Sequence, residues 1–312
     1  MRRLLPVLLA TVVAGCGERQ APDPQTAATP AQTATPAPGT APPTAAGKTP
    51  ASPAIVSMTV EPRSGTLLLG TGGGMYRLEE GEREGRRFEG RLTTPDGEGL
   101  ISDNVVLVAA GARALLGSGH PLEGGSALPE DLGLIRSQDG GETWVPVSLL
   151  GEADLHALDA RGDVVVGQPV EEARLVVSTD GGRTFADRTP PDVPFDVDLD
   201  PNDPQRLLIT TPQGVFSSPD LGRSWRRRDV LTVETFLAWA PSGTVYRVEA
   251  GGIVRASEDG GATWKQTGDV GGPPTAATID ADGRLYVALA GARIMRSQDG
   301  GSSFDEIGRL GG

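Results

Sequence analysis

The 312-residue chain has a single Cys, two His and few aromatic residues, which make up 4% of the sequence. One Cys excludes an internal disulfide framework and a Cys-rich zinc module. Basic residues are also scarce. Lys plus Arg total 28 against 41 Asp plus Glu, for a formal net charge of −13. That balance excludes a general nucleic-acid binder, whose footprint is basic. No apolar run approaches the roughly 20 residues that a helix needs to cross a bilayer. What the chain has in plenty is glycine, 44 residues, with 26 prolines. With few aromatics, this composition predicts many turns and short strands.

The first residues read as an address. Arg2 and Arg3 are followed by an apolar stretch from Leu4 to Val13, broken only by Pro6 and Thr11. This is the pattern of a signal peptide over residues 1–15. It ends in Val13-Ala14-Gly15-Cys16, which resembles the lipobox of bacterial lipoproteins. The resemblance implies that Cys16 is acylated and becomes the first mature residue, anchored to a bacterial membrane outside the cytoplasm. Two or more acyl chains anchor firmly where one is marginal. Residues 17–54 hold nine Pro and no aromatic residue. Nothing there can build a core, so residues 16–54 are expected to form a disordered tether.

Residues 55–312 contain 24 basic and 39 acidic residues, so this part is more acidic than the whole. Its length suits one large β domain. Five segments within it are alike. They are Ser137-Gln-Asp139-Gly-Gly141-Glu-Thr-Trp144, Ser178-Thr-Asp180-Gly-Gly182-Arg-Thr-Phe185, Ser218-Pro-Asp220-Leu-Gly222-Arg-Ser-Trp225, Ser257-Glu-Asp259-Gly-Gly261-Ala-Thr-Trp264 and Ser297-Gln-Asp299-Gly-Gly301-Ser-Ser-Phe304. Their starts are spaced 41, 40, 39 and 40 residues apart. A constant period of this size signals a repeat architecture. In each, the Ser ends a strand and the Asp can accept backbone N–H bonds of a turn. The Gly fills a position with φ > 0, and the Trp or Phe opens the next strand and buries its ring between sheets.

The pattern resembles the Asp-box, or BNR, repeat. Proteins with this repeat include sialidases, sortilin-type receptors, xyloglucan-degrading enzymes and photosystem-assembly factors. Together with Gly-Ser-Gly-His-Pro121 and Asp154-Leu-His-Ala-Leu158, the chain looks most like bacterial lipoproteins labelled glycosyl hydrolase or exo-sialidase on their repeats. The resemblance implies an all-β domain, a six-bladed β-propeller over 55–312. Seven blades follow if the tether or a loop supplies further strands. The first unit, residues 55 to about 95, lacks the box, but Met75-Tyr-Arg-Leu78 aligns with Leu134-Ile-Arg-Ser137. Hairpin turns between the first two strands of each unit fall at Gly65, Gly111, Gly162, Gly243, Gly283 and at Asp200-Pro-Asn-Asp-Pro204.

Sialidase chemistry needs an arginine triad, a Tyr nucleophile with a Glu base, and an acid. The first blade has no Arg-Ile-Pro, and Tyr76, Tyr246 and Tyr286 read as core. A carboxylate-pair glycosidase has no pair singled out by spacing. Gly70-Thr-Gly-Gly-Gly74 lacks the third Gly of a dinucleotide loop and reads as a turn. Asp196-x-Asp198-x-Asp200 resembles a calcium loop but has Pro201 and Leu207 where Gly and Glu belong, and it reads as an innermost strand.

The two histidines carry the site expectation. His120 falls in the connection 117–133 and His156 where the third unit begins. Both map to one face near the channel, with Asp154, Glu123, Glu130, Asp131, Glu171 and Glu172. His120, His156 and Asp154 are therefore the candidate ligand or divalent-metal site. The sequence favours a monomeric, non-catalytic binding platform with an envelope protein or carbohydrate as partner and no nucleic acid. A glycoside hydrolase and an assembly factor for a membrane complex are the alternatives.

Overall fold

The computed structural model describes residues 53–311 except 112–113, 122–126, 171–172 and 231–234, and of 102–104 it describes the backbone alone. The chain divides between Gly47 and Lys48, and all described residues belong to the second unit. The signal peptide, Cys16 and the tether up to residue 52 lie outside the described residues, as do Glu123, Glu171 and Glu172.

Every regular element among the described residues is a β-strand. The first sheet holds β1 (Ile55–Val60), β2 (Leu67–Thr71), β3 (Gly74–Leu78) and β4 (Glu84–Phe88). The second holds β5 (Gly90–Thr94), the long β6 (Gly97–Ala110), β7 (Ala114–Pro121), β8 (Leu134–Ser137) and β9 (Thr143–Ser148). The third runs β10 (Leu155–Arg161), β11 (Val164–Pro169), β12 (Leu175–Ser178) and β13 (Ala186–Arg188). The fourth runs β14 (Asp196–Leu199), β15 (Leu207–Thr211), β16 (Gly214–Ser218) and β17 (Arg226–Asp229). The fifth runs β18 (Thr235–Trp239), β19 (Val245–Glu249), β20 (Ile253–Ser257) and β21 (Lys265–Asp269). The last runs β22 (Pro274–Ile279), β23 (Leu285–Leu289), β24 (Arg293–Ser297) and β25 (Asp305–Leu310). Successive strands within each sheet pair antiparallel.

Burial follows strand position. The second strands β2, β11, β15 and β23 are buried along their whole length. Their near-continuous apolar runs are what a strand covered on both faces requires. The outer strands β13, β17 and β21 are polar and largely exposed. Each apolar cluster draws on two neighbouring sheets: first with second, second with third, third with fourth, fourth with fifth, fifth with last, and last with first. The sheets therefore stand face to face in a closed ring. Their innermost strands β1, β6, β10, β14, β18 and β22 each pack on the next, and β22 packs on β1, around an axial channel. β25 also pairs in parallel with β4, Arg309 opposite Glu84, which joins the last sheet to the first.

The predicted turns lie where the glycines set them, with φ between +61° and +92° at Gly65, Gly111, Gly162, Gly243 and Gly283. One boundary differs from the expectation. Residues 90–94 do not belong to the first unit: β5 pairs with β6 across Pro95-Asp96 and in parallel with β9, Arg91 opposite Thr143. Pro95-Asp96-Gly97 is a turn signal between the short β5 and the long β6, and it adds a strand to the second sheet.

The five repeated turns share one hydrogen-bond scheme. Ser178 Oγ accepts from Gly182 N at 2.9 Å and donates to Asp180 Oδ1 at 2.7 Å. Asp180 accepts from Thr184 N at 3.0 Å and from Thr184 Oγ1 at 2.6 Å. Ser137 with Asp139, Ser218 with Asp220, Ser257 with Asp259 and Ser297 with Asp299 repeat it. Gly141, Gly182, Gly222, Gly261 and Gly301 have φ of +78° to +90°. The rings depart from expectation. Trp144 is fully buried, but Phe185, Trp225, Trp264 and Phe304 are half-buried, each packed against the edge of a cluster. Tyr286 is buried with its hydroxyl donating to Asp280, while Tyr76 and Tyr246 are half-buried.

Candidate functional site

At one end of the channel the predicted histidines meet. His120 is not in a loop. It is the penultimate residue of β7, which continues to Pro121, and His156 is the second residue of β10. Between them lies Asp154, whose side chain is 2% exposed. Its Oδ2 is 2.8 Å from His156 Nε2 and 3.2 Å from His120 Nε2. His120 Nδ1 is 2.9 Å from the carbonyl oxygen of Glu130 and 3.8 Å from Asp131 Oδ1. Because Nδ1 must donate to that carbonyl, the Nε2 contact is attractive only when the ring carries both protons. The trio is thus a carboxylate bracketed by two imidazoles. Both Nε2 atoms are turned to Asp154, and no group of three or more His, Cys, Asp and Glu among the described residues is arranged to hold a metal ion. The divalent-metal expectation gains no support from this geometry.

His156 also lines a cavity of about 580 Å³ at the channel mouth, with Ala54, Val56, Met58, Phe195, Phe236 and Thr275. Phe195 and Phe236 meet edge to face with centroids 5.1 Å apart. Sequence reasoning missed these two rings. Phe195 immediately precedes β14 and Phe236 is the second residue of β18, positions that the strand pattern alone does not distinguish. Val56 and Phe195, which line this cavity, are exposed, as are Val170, Val193 and Val230, Val230 at 65%. They sit at the start of β1 and in the β11–β12, β13–β14 and β17–β18 connections, all at this end of the ring.

Deeper in the channel, a cavity of about 120 Å³ is lined by Asp159, Arg161, Asp196 and Asp198. These carboxylates are engaged. Asp196 Oδ2 accepts from Leu237 N and Asp198 Oδ2 from Trp239 N, each at 2.7 Å. Asp159 Oδ2 accepts from Leu199 N at 2.8 Å, and its Oδ1 meets Arg161 Nη1 at 2.8 Å. Asp196 and Asp198 therefore fasten one inner strand to the next and do not form a calcium loop. Burial pushes Asp196 up to about 7 against those backbone bonds. Asp198 is also raised, by burial and then by the charge of Asp159, with Arg161 opposing. Another cavity, of about 480 Å³, lies on the seam of first and last sheets beside Glu79, Arg83 and Arg296.

Four-stranded sheets packed in a ring around a channel define a β-propeller. No family model matches the chain, and no curated protein matches it. Solved structures do. The nidogen–laminin complex aligns with a TM-score of 0.55 at 17% identity, covering 78% of this chain and 93% of that one. A GH74 xyloglucanase from Xanthomonas campestris aligns at 0.53 and 18% identity, covering 83% of this chain but 46% of that one. The WD40 repeats of RRP9 align at 0.51 and 13% identity, covering 76% and 87%. This chain spans less than half the xyloglucanase, and at these identities the likeness concerns the fold. Such propellers include binding proteins and enzymes alike. No helix among the described residues is long and apolar enough to cross a membrane.

Proposed function

We propose that this chain is a lipid-anchored, extracytoplasmic six-bladed propeller, five of whose blades carry an Asp-box-type turn, that holds a protein partner at its channel mouth without catalysis. The cavity of about 580 Å³, lined by the exposed Val56 and Phe195 and by Phe236, carries the reading. Exposed Val and Phe side chains gathered at one end of an acidic domain are the mark of an interaction surface. The edge-to-face rings of Phe195 and Phe236 supply an anchor pocket of the kind that dominates binding energy. The channel carboxylates favour binding over hydrolysis. A glycosidase needs two carboxyls free to face the sugar, whereas Asp159, Asp196 and Asp198 hold backbone N–H groups and Arg161. The Cys16 lipobox supplies the anchor, and a neighbour solved in complex with laminin illustrates the fold used for protein binding.

A photo-crosslinking residue at Phe195, compared with one at Val145 on the exposed outer strand β9, tests this in living cells. The expected result is one discrete protein adduct from position 195 and none from 145. Equal adduct patterns from both positions, or none from either, would refute the mouth as the binding face.

A further inference from the structure

Among the described residues, the mouth cavity of about 580 Å³ has one carboxylate on its wall, Asp196, and no Lys or Arg. Three successive inner strands build that side of it. Phe195 immediately precedes β14 and Asp196 opens it, Phe236 belongs to β18 and Thr275 to β22. β18 packs on β14 on one side and on β22 on the other. The Phe195 and Phe236 rings meet with centroids 5.1 Å apart, and Asp196 Oδ2 is tied at 2.7 Å to the N–H of Leu237, the residue after Phe236. The carboxylate is thereby pinned beside the aromatic pair. Asp196 also lines the deeper cavity of about 120 Å³, so it stands at the junction of mouth and channel.

The polar side chains on this wall leave one kind of capacity open. Ser57 Oγ donates to the Val105 carbonyl at 2.6 Å and accepts from Leu107 N at 3.2 Å. Gln168 Nε2 donates to the Pro169 carbonyl, and His156 Nε2 is turned to Asp154. Thr275 Oγ1 is buried with no hydrogen-bond partner among the described residues. A buried hydroxyl left in that state is costly. Asp196 Oδ1 and Oδ2 accept from Val197 N and Leu237 N, and each oxygen keeps a second acceptor position. Phe195 is exposed and Phe236 half-buried, so ring surface stays open to the cavity. Open acceptors, a carboxylate and aromatic faces, with no basic side chain to compete, fit a positively charged group that only donates.

We infer, resting on the reading that a protein partner docks here, that the mouth takes the ammonium group of a lysine side chain of that partner, held by Asp196 and Thr275 against the Phe195–Phe236 pair. An ammonium has three donors and no acceptor, and its methylene stem suits the apolar walls supplied by Val56 and Met58. A divalent metal fits less well, because one carboxylate and one hydroxyl do not complete its oxygen shell. Binding depends on pH. Asp196, raised to about 7 by burial, must ionise to pair with the cation. The titratable groups around it are His156 and Asp159 of β10, Arg161 beyond Asp159, and Asp198 on its own strand; among the described residues β1, β6, β18 and β22 bring none to either cavity. Affinity therefore rises with pH through about 7, and protonation of His156 opposes the cation in the same direction.

The test titrates n-butylammonium chloride, the lysine head and stem, into the purified full chain and reads Tm. At about pH 8 the wild type should show a saturable rise, and at most a small one with matched sodium chloride, n-butanol or sodium butyrate. Asp196→Asn, which keeps an oxygen for Leu237 N, should weaken the apparent affinity at least about tenfold, and the wild type at about pH 5.5 should be weaker by a similar factor. Any pH dependence left in Asp196→Asn belongs to His156. Thr275→Val should weaken binding about threefold. In cells, Asp196→Asn should diminish the adduct formed from position 195. An equal butylammonium response in Asp196→Asn, or an equal response to n-butanol or butyrate, overturns the ammonium site; an adduct undiminished in Asp196→Asn then leaves the mouth a docking face without a lysine anchor. Butylammonium binding with no adduct from position 195 overturns the protein partner as the source of the cation.

Discussion

Ser178 holds its turn together from a position that is 1% exposed. Its Oγ takes the buried N–H of Gly182 and orients Asp180, which in turn accepts from Arg183 and Thr184. Ser178→Ala leaves that N–H without a partner and frees the carboxylate to rotate. The expected loss is about 1–3 kcal/mol, the usual penalty for an unsatisfied buried donor, read from urea denaturation. An unchanged midpoint would mean that water substitutes for the hydroxyl. The same scheme holds Asp259 and Asp299 down to about 2, chiefly through the hydroxyls and then the N–H groups of Thr263 and Ser303. The stability these carboxylates contribute is present above the ordinary carboxylate range and is lost as pH falls towards 2. These turns were legible in the sequence because every partner lies within four residues. The depth of the rings was not, because Phe185 or Trp225 is covered by whatever the adjacent sheet presents. His120 and His156 could be placed on one face from the repeat period, but the position of Asp154 between their Nε2 atoms depends on how β7 meets β10.

At the scale of the strand, the inner edges pose the sharpest problem. An innermost strand has an unpaired row of N–H groups facing a narrow channel, and buried donors need partners. The preceding sheet supplies them. Ser57 Oγ accepts from Leu107 N, Thr59 Oγ1 from Ala109 N, Ser118 Oγ from Leu155 N, and Asp159, Asp196 and Asp198 from Leu199, Leu237 and Trp239. The alternating Asp-x-Asp was legible as strand, but its role was not, since its partners lie 41 residues away. Asp196 carries a pH signature. Burial raises it to about 7, so between about pH 4 and 7 the folded chain keeps a proton that the unfolded chain releases. Stability therefore falls as pH rises through that window and levels off above it. Asp196→Asn keeps an oxygen for Leu237 N and removes the titration. Relative to its value near pH 4, the variant should be more stable than wild type at pH 8 by about 2–4 kcal/mol, part of the effect being screened by channel water. Urea midpoints at both pH values check this, and parallel curves for the two proteins would refute it.

At the scale of the molecule, closure sets the direction in which the protein works. Each sheet buries one face against each neighbour, so no sheet is complete without the whole ring, and the β4–β25 pairing fastens its ends. The period of the repeats made the ring legible from sequence, whereas the β4–β25 seam joins strands too far apart in the chain for any local pattern to reveal. The chain enters the ring at Ala54, which itself lines the mouth cavity. On the proposed reading, Cys16 ties the ring to the bilayer through the residues that precede Ala54. The mouth is then held at a membrane surface, and the partner proposed for it is a membrane protein or one close to that surface. Everything in this arrangement depends on Cys16. Wild-type protein should sediment with membranes and be released only by detergent. Cys16→Ser should appear either in the soluble fraction or as an unprocessed precursor, because no other side chain can carry the thioether lipid, and the adduct at position 195 should weaken as the local concentration of the partner falls. A Cys16→Ser protein that still sediments at mature size would refute the anchor. The mouth would then have to recruit its partner from solution, unaided by the tether.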